Sequence, residues 1–499
     1  MSSTVGVAVL TLIGVYAVKY FKKYFWDLRH LNGPSPFLSL PIFGHAWMIG
    51  DDIPRYMDQC AEKYGPIFRF DMGYLPTVII GRYDDYVDAY KLEPMNGRAW
   101  SIMPFVRNLF GTDSKGEVFG VGSSNGPVWA EQRKFMHINL NRVGMGKAKE
   151  LEEIVEQEVE VMCERVAKLS EVGGVDFQKL LPVAINNVIW RMITGKTSKQ
   201  DDPFMVELTD CMNRHFETLS PSNPISTLQQ YFHRCTKVAT DLGIIKGFKD
   251  ILKLRDTVAE QISELQPESE GNFVERFLFE IESANPESSF YGKDGRRHLF
   301  GNAVDLFIAG TETTATFMTW TFKFLIMYPE VQEKISNELC HVFGSAKPSL
   351  DRRDELPYTH ATIQETIRLN PLGVFSVARL TLSPINLKGT PIPKHTQILP
   401  YLRTINRDPK SFPDPNEFRP ERFLDQDGKF VFDERVTLFG KGKRKCVGEV
   451  LAKAEIFLFL THMVHNFRIK PAPGQIYTLK SNPGLAFTSD PYQAVVESR

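Results

Sequence analysis

Apolar and polar positions along the chain fall into a few distinct patterns. From Lys147 onward helical periodicity dominates, as in AKELEEIVEQEVEVMCERVAKL. Earlier, PIFRFDMG and PTVIIG, starting at Pro66 and Pro76, are β-rich runs separated by a turn and read as a hairpin. The longest apolar helical stretch covers residues 303–329. Asp305, Glu312, Lys323 and six threonines make it expensive in lipid, so it is expected to cross a protein core and to end at Pro329. Residues 5–18, VGVAVLTLIGVYAV, carry no charge and are followed by Lys19, Lys22, Lys23 and Arg29. Counted from Met1 this is about the minimum length of a membrane span, and the trailing positive charge keeps the main body cytosolic. A secretory signal would put its charge first. Prolines at 34, 36 and 41 then disfavour helix and predict a stiff, extended linker over residues 32–45. With no internal repeat and no second linker, the expected organisation is an anchor (1–20), a basic stop and proline hinge (21–45) and one large, mainly α domain with a small β-rich part (46–499).

Composition narrows the function. The chain has 499 residues, 42% of them hydrophobic, ample for a large core. Its formal net charge of -1 argues against a nucleic-acid partner and leaves any electrostatic docking to a local patch. Six cysteines without a CxxC pair are too sparse for a disulfide scaffold, which points to a reducing compartment.

The densest chemistry lies in LFGKGKRKCVGEVLA, residues 438–452. Cys446 stands just before a helical segment, where backbone N–H groups and the nearby Arg444 favour a thiolate. Gly442 and Gly448 let the backbone turn tightly and approach a bulky planar group. Phe439, Gly442, Arg444, Cys446 and Gly448 form F-x-x-G-x-R-x-C-x-G. This resembles the haem-binding signature of the cytochrome P450 superfamily, in which the cysteine is the axial ligand of the iron of haem b and the arginine pairs with a haem propionate.

Other segments resemble the family in the order it requires. ETIR places Glu365 and Arg368 on one face of a helix. With Arg422 of FRPERF they resemble the family's structural Glu/Arg/Arg network. WAEQR supplies Trp129 and Arg133, similar to the propionate-contacting pair, and Arg379 stands where many relatives carry a further propionate partner. AGTETT resembles the oxygen-side motif: Ala309 and Gly310 where the helix meets a ligand, then Glu312 and Thr313 as an acid–alcohol proton relay. Gly310 costs the helix about 1 kcal/mol relative to alanine, and Thr313 can bond back to a carbonyl one turn earlier, opening the helix locally.

The resemblance extends from the apolar N-terminus to the tail, and SSNGPVWAEQRKF and GMGKAKELEEIVEQE look most like the animal microsomal branch of drug and steroid hydroxylases. It implies a haem-thiolate monooxygenase on the cytosolic side of the endoplasmic reticulum membrane. Such an enzyme takes O2, an apolar substrate and electrons from an NADPH-dependent flavin reductase, with cytochrome b5 a further implied donor. Rival readings are a haem-thiolate isomerase or dehydratase, which needs no external electrons, and a non-catalytic membrane-bound haem protein. The substrate stays open among steroids, fatty acids, terpenoids and foreign compounds. Its pocket is expected from residues 100–120, the region around Phe216, residues 374–377 and the turn near Phe487, with Phe105, Phe110 and Phe487 making it aromatic. Lys441, Lys443 and Lys445 have no role in ligation and suit docking of an acidic reductase.

Overall fold

The computed structural model describes residues 28–499, apart from 41–42, 51, 74, 100–106, 108–110, 200, 218–237, 239–241, 243–246, 266–270 and 485. Of the first 27 residues it describes only a few isolated positions. The described residues group into two compact units whose segments interleave: Met1–Ala99, Phe375–Ile405 and Lys441–Arg444 form one, and the rest of the chain forms the other. No single cut separates them, so the sequence shows no linker between them.

The first unit is the β-rich part. Its two longer helices are α1 (Ile53–Tyr64) and α2 (Tyr83–Lys91). Asp52 caps α1 by accepting the Arg55 N–H at 3.0 Å, and Pro54 fits the first turn, where its missing N–H is not needed. Strands β1 (Ile67–Arg69) and β2 (Thr77–Ile80) form the expected antiparallel hairpin pair, Ile67 opposite Ile80. The strands β3 (Arg379–Leu380), β4 (Ile385–Leu387), β5 (Thr390–Ile392) and β6 (Gln397–Pro400) follow much later in the chain. The sheet order is β1-β2-β6-β3, with β2 and β6 parallel and Thr77 opposite Gln397. Every residue of β2 and β6 is buried, as expected for a strand covered on both faces.

The second unit is helical: α3 (Gly126–Leu140), α4 (Ala148–Val172), α5 (Phe177–Thr194), α6 (Pro203–Glu217), α7 (Gly247–Ser263), α8 (Phe273–Ser283), α9 (Gly292–Met327), α10 (Pro329–Phe343), α11 (Pro357–Leu369) and α12 (Glu449–Asn466). Short strands β7 (Phe467–Pro471), β8 (Ser481–Asn482), β9 (Thr488–Ser489) and β10 (Ala494–Ser498) close its C-terminal part. Helices α5, α9 and α12 are buried on nearly all sides and share one core with α4.

Helix α9 starts well before the expected Ala303. Its first turns carry Lys293, Asp294, Arg296 and Arg297 and give no apolar signal, but tertiary contacts hold them in the helix. Asn302 accepts the Val121 N–H at 2.8 Å, and Asp305 accepts the Gly122 N–H at 2.8 Å. At its far end α9 stops at Met327, and Pro329 opens α10. Among the described residues no helix is long and apolar enough to cross a membrane, and the apolar run 5–18 lies largely outside them. The proline segment is less uniformly extended than expected. Pro36–Leu38 forms one turn of 3-10 helix, with the Trp47 indole N–H donating to the Leu38 carbonyl at 2.8 Å.

Candidate active site

Within the helical unit, Cys446 precedes α12 by three residues, with Gly448 at the N-cap. Its own N–H donates to the Phe439 carbonyl at 2.9 Å, folding the loop back on itself. The Cys446 side chain is exposed, yet protein crowds around it, and this desolvation raises the thiol pKa. The Gly448 N–H and the charges of Arg133 and Lys445 pull it down, while Glu449 pushes it up. The helix start therefore helps the thiolate as expected, but the cations acting on it are Arg133 and Lys445 rather than Arg444. Arg133, one turn of α3 beyond the buried Trp129, donates to the Lys445 carbonyl. Glu449 is held by Lys445 at 2.6 Å and Lys453 at 2.8 Å, and the Lys453 ammonium lies 5.6 Å from the centre of the Phe439 ring.

Within the β-rich unit, Gly442 has φ +71, and a Cβ there would fall 2.3 Å from the Tyr90 carbonyl oxygen of α2. Its glycine is thus required both by the left-handed backbone of the expected tight turn and by packing against protein backbone. Gly448 has φ -88 and only ordinary space around it. Arg444 is buried and donates from Nε to the Asn96 carbonyl at 2.9 Å. Arg379 is 3% exposed. Its Nη2 donates to the Lys441 carbonyl at 3.2 Å, and its guanidinium lies 4.8 Å from the centre of the Tyr90 ring. Its Nε and Nη1 are buried and have no partner among the described residues.

The oxygen-side motif sits mid-way along α9. The Thr313 hydroxyl donates to the Ala309 carbonyl at 2.6 Å, the back-bond expected from the sequence. Glu312 is buried and accepts the Thr316 hydroxyl at 3.3 Å. Gly310 again has a packing reason: a Cβ would lie 2.5 Å from Ile189 Cδ1 of α5, so the missing methyl lets two core helices approach. A pocket of about 390 Å³ runs along the Glu312, Thr316 and Thr319 face of α9 and is lined also by Gln178, Asn213 and the β8–β9 turn.

Glu365, Arg368 and Arg422 come together as anticipated. Glu365 accepts from Arg368 Nε at 2.6 Å and Nη2 at 2.8 Å, and from Arg422 Nε at 3.0 Å. It also accepts the Arg419 N–H at 2.8 Å. Both Glu365 and Arg368 are 0% exposed.

The cytochrome P450 family model matches residues 34–496. Among similar proteins, cytochrome P450 2D10 of Rattus norvegicus is 30% identical over 479 residues, covering 94% of this chain and 92% of its own. Cytochrome P450 2C2 of Oryctolagus cuniculus is 32% identical over 457 residues, 88% of each chain. Cytochrome P450 2H1 of Gallus gallus is 32% identical over 453 residues, 88% of this chain and 87% of its own. The chain belongs to the cytochrome P450 family.

As a cytochrome P450 it is a monooxygenase that binds haem b through a cysteine thiolate. The residues present fit that cofactor. A buried guanidinium with two unpaired N–H donors is costly unless an anion meets it, and Arg379 offers those donors to a carboxylate such as a propionate. Cys446 is the exposed thiol at a helix start that thiolate ligation needs. Of the residues expected to line this P450's substrate pocket, Phe105 and Phe110 lie outside the described residues, as does the side chain of Phe216. Phe487 is buried, with its N–H on the Leu372 carbonyl at 2.7 Å and its own carbonyl on the Trp320 indole N–H at 2.8 Å. The sequence carries no signal for Asn186 of α5, whose Oδ1 accepts the hydroxyl of Thr311 in the oxygen-side turn.

Proposed function

We propose that this cytochrome P450 inserts one oxygen atom into an apolar substrate, with electrons delivered from NADPH by a flavin reductase. In this reading it belongs with the microsomal drug and steroid hydroxylases, held by its N-terminal apolar run on the cytosolic face of the endoplasmic reticulum. Cys446 would hold the haem iron through its thiolate. Arg379, Arg444, Arg133 and Trp129 would hold the propionates, and Phe439, Gly442 and Gly448 would shape the ligand loop. When bound, haem supplies dioxygen reduction and the insertion of oxygen into an unactivated C–H bond.

The observation that carries the monooxygenase reading is the acid–alcohol pair in an otherwise apolar helix. Thr313 Oγ1 holds its proton on the Ala309 carbonyl, and rotation about χ1 frees that proton for delivery. Glu312 borders the cavity and takes the replacement proton from water there. An isomerase or a haem carrier has no use for such a pair. Thr313→Ala is expected to keep consuming NADPH while releasing several-fold more peroxide per product, a loss of about 1 kcal/mol in partition. Parent-like coupling would assign Thr313 to packing.

The lysines of the ligand loop are less free than the sequence suggests. Lys441 donates to the Tyr83 hydroxyl at 2.9 Å, Lys443 pairs with Glu93 at 3.1 Å, and Lys445 pairs with Glu449. The exposed Lys443–Glu93 pair is worth at most about 1 kcal/mol, so an acidic partner can displace Glu93. Reversing Lys441 and Lys443 to glutamate should slow reductase-supported turnover, which in the parent should fall steeply with salt because exposed charges are screened over about 10 Å at 0.1 M. Peroxide-driven turnover bypasses the reductase and should hold. Equal losses in both assays would end the docking assignment.

A further inference from the structure

Three tyrosines lie along one side of α2. Tyr83, Tyr86 and Tyr90 fall at i, i+3 and i+7, a spacing that puts side chains on the same face of a helix. The outer two each meet a cation. The Lys441 ammonium lies 5.2 Å from the centre of the Tyr83 ring and donates to its hydroxyl at 2.9 Å. The Arg379 guanidinium lies over the Tyr90 ring at 4.8 Å. The two cations are themselves joined, because Arg379 Nη2 donates to the Lys441 carbonyl at 3.2 Å. Tyr86, between them, meets the Tyr90 ring edge-on, with ring centres 4.6 Å apart. Gly442 completes the arrangement by leaving the room that the Tyr90 carbonyl occupies.

Tyr90 acts on Arg379 twice. Its ring backs the guanidinium, and its hydroxyl donates to the Val377 carbonyl at 3.3 Å, which fixes the chain two residues before Arg379. Tyr90 is 4% and Arg379 3% exposed, and a cation is held more firmly on an aromatic face when both are out of water. Burial pushes the Tyr90 phenol well above its ordinary pKa, so it stays neutral and offers Arg379 no competing negative charge. A guanidinium is planar, so a ring on its face leaves the N–H groups at its edge open to other partners. Nη2 is taken by Lys441, while Nε and Nη1 are buried and have no partner among the described residues. An aliphatic side chain at position 90 would fill space without orienting those two donors.

We propose that Tyr90 is a positioning residue for haem retention, holding the Arg379 guanidinium by ring and hydroxyl so that Nε and Nη1 stay presented to a carboxylate. This rests on the reading given above, in which Arg379 meets a propionate. The tyrosine face of α2 then serves as the platform on which β3 and the residues before the Cys446 loop are set.

The test follows haem release into excess apomyoglobin from full-length, haem-loaded protein. It compares the parent with Tyr90→Phe, Tyr90→Leu, Arg379→Leu and the Tyr90→Leu/Arg379→Leu double variant. Tyr90→Leu should release haem about tenfold faster than the parent, whereas Tyr90→Phe, which keeps the ring, should stay within about threefold. Arg379→Leu should be at least as fast as Tyr90→Leu. The double variant should be no faster than Arg379→Leu alone, because a residue acting through Arg379 then has nothing left to act on. Should Tyr90→Leu fail to fold, a fluorinated phenylalanine in place of Tyr90 tests the same contact. It keeps the shape of the ring, weakens its negative face and should speed release relative to Tyr90→Phe. Parent-like release from Tyr90→Leu, with fast release from Arg379→Leu, would overturn the proposal and leave the propionate reading standing. Additive losses in the double variant would overturn it in the same way, by making Tyr90 a packing residue only. Parent-like release from Arg379→Leu would remove the propionate reading and this proposal together.

Discussion

Cys446→Ser is expected to abolish monooxygenase turnover and to remove the thiolate-type Soret band of the reduced carbon monoxide complex. A serine hydroxyl keeps its proton where a thiol near a helix N-terminus can lose it, so no anionic donor remains to favour O–O cleavage. The surroundings of Cys446 sharpen the expectation. The Gly448 N–H and the cations Arg133 and Lys445 favour an anion there, against the penalty of crowding protein. The loop should survive the substitution, because its closing bond, from the residue 446 N–H to the Phe439 carbonyl, is made by backbone. Apoprotein of parent-like thermal stability without the thiolate band is the expected result. A normal band in the serine variant would end the assignment of Cys446 as ligand.

Glu365→Ala should be the most destabilising single change in the protein. One carboxylate satisfies two guanidiniums, Arg368 at 0% and Arg422 at 6% exposure, and its removal strands both. A buried charge deprived of its partner costs about 3–5 kcal/mol, against a total stability of about 5–15 kcal/mol for a folded protein. Arg368 also ties the chain to the Asn406, Pro415 and Glu417 carbonyls, so misplacing it releases the segment that leads toward the ligand loop. Glu365→Gln keeps the volume but not the charge and should be nearly as severe. The measurements are the haem-loaded fraction of purified protein and its thermal midpoint. A Glu365→Ala midpoint within a few degrees of the parent would show the network to be dispensable.

What the sequence revealed was mostly local. The helix start just after Cys446, the β1–β2 hairpin, helix α4 and the Glu365–Arg368 spacing each depend on residues close together in the chain, and each formed as expected. Thr313 also bonded back as its side chain and helical setting suggested. What stayed hidden depends on which elements meet. The first turns of α9 look like loop until Asn302 and Asp305 find the backbone at Val121 and Gly122. The missing side chains of Gly310 and Gly442 also make room for Ile189 and the Tyr90 carbonyl, neighbours that lie far off in the chain. Asn186 meets the Thr311 hydroxyl only once α5 lies against α9, an arrangement that periodicity does not encode.

The parallel pairing of β2 with β6 has a consequence for biosynthesis. Thr77 leaves the ribosome long before its partner Gln397 exists, so the sheet of the β-rich unit cannot close during most of translation. At about 5–20 residues per second, the β1–β2 hairpin waits on the order of tens of seconds with an apolar edge unpaired. Over that interval the β2 edge stays open in the nascent chain, so supplying extra chaperone during synthesis should raise the yield of folded protein.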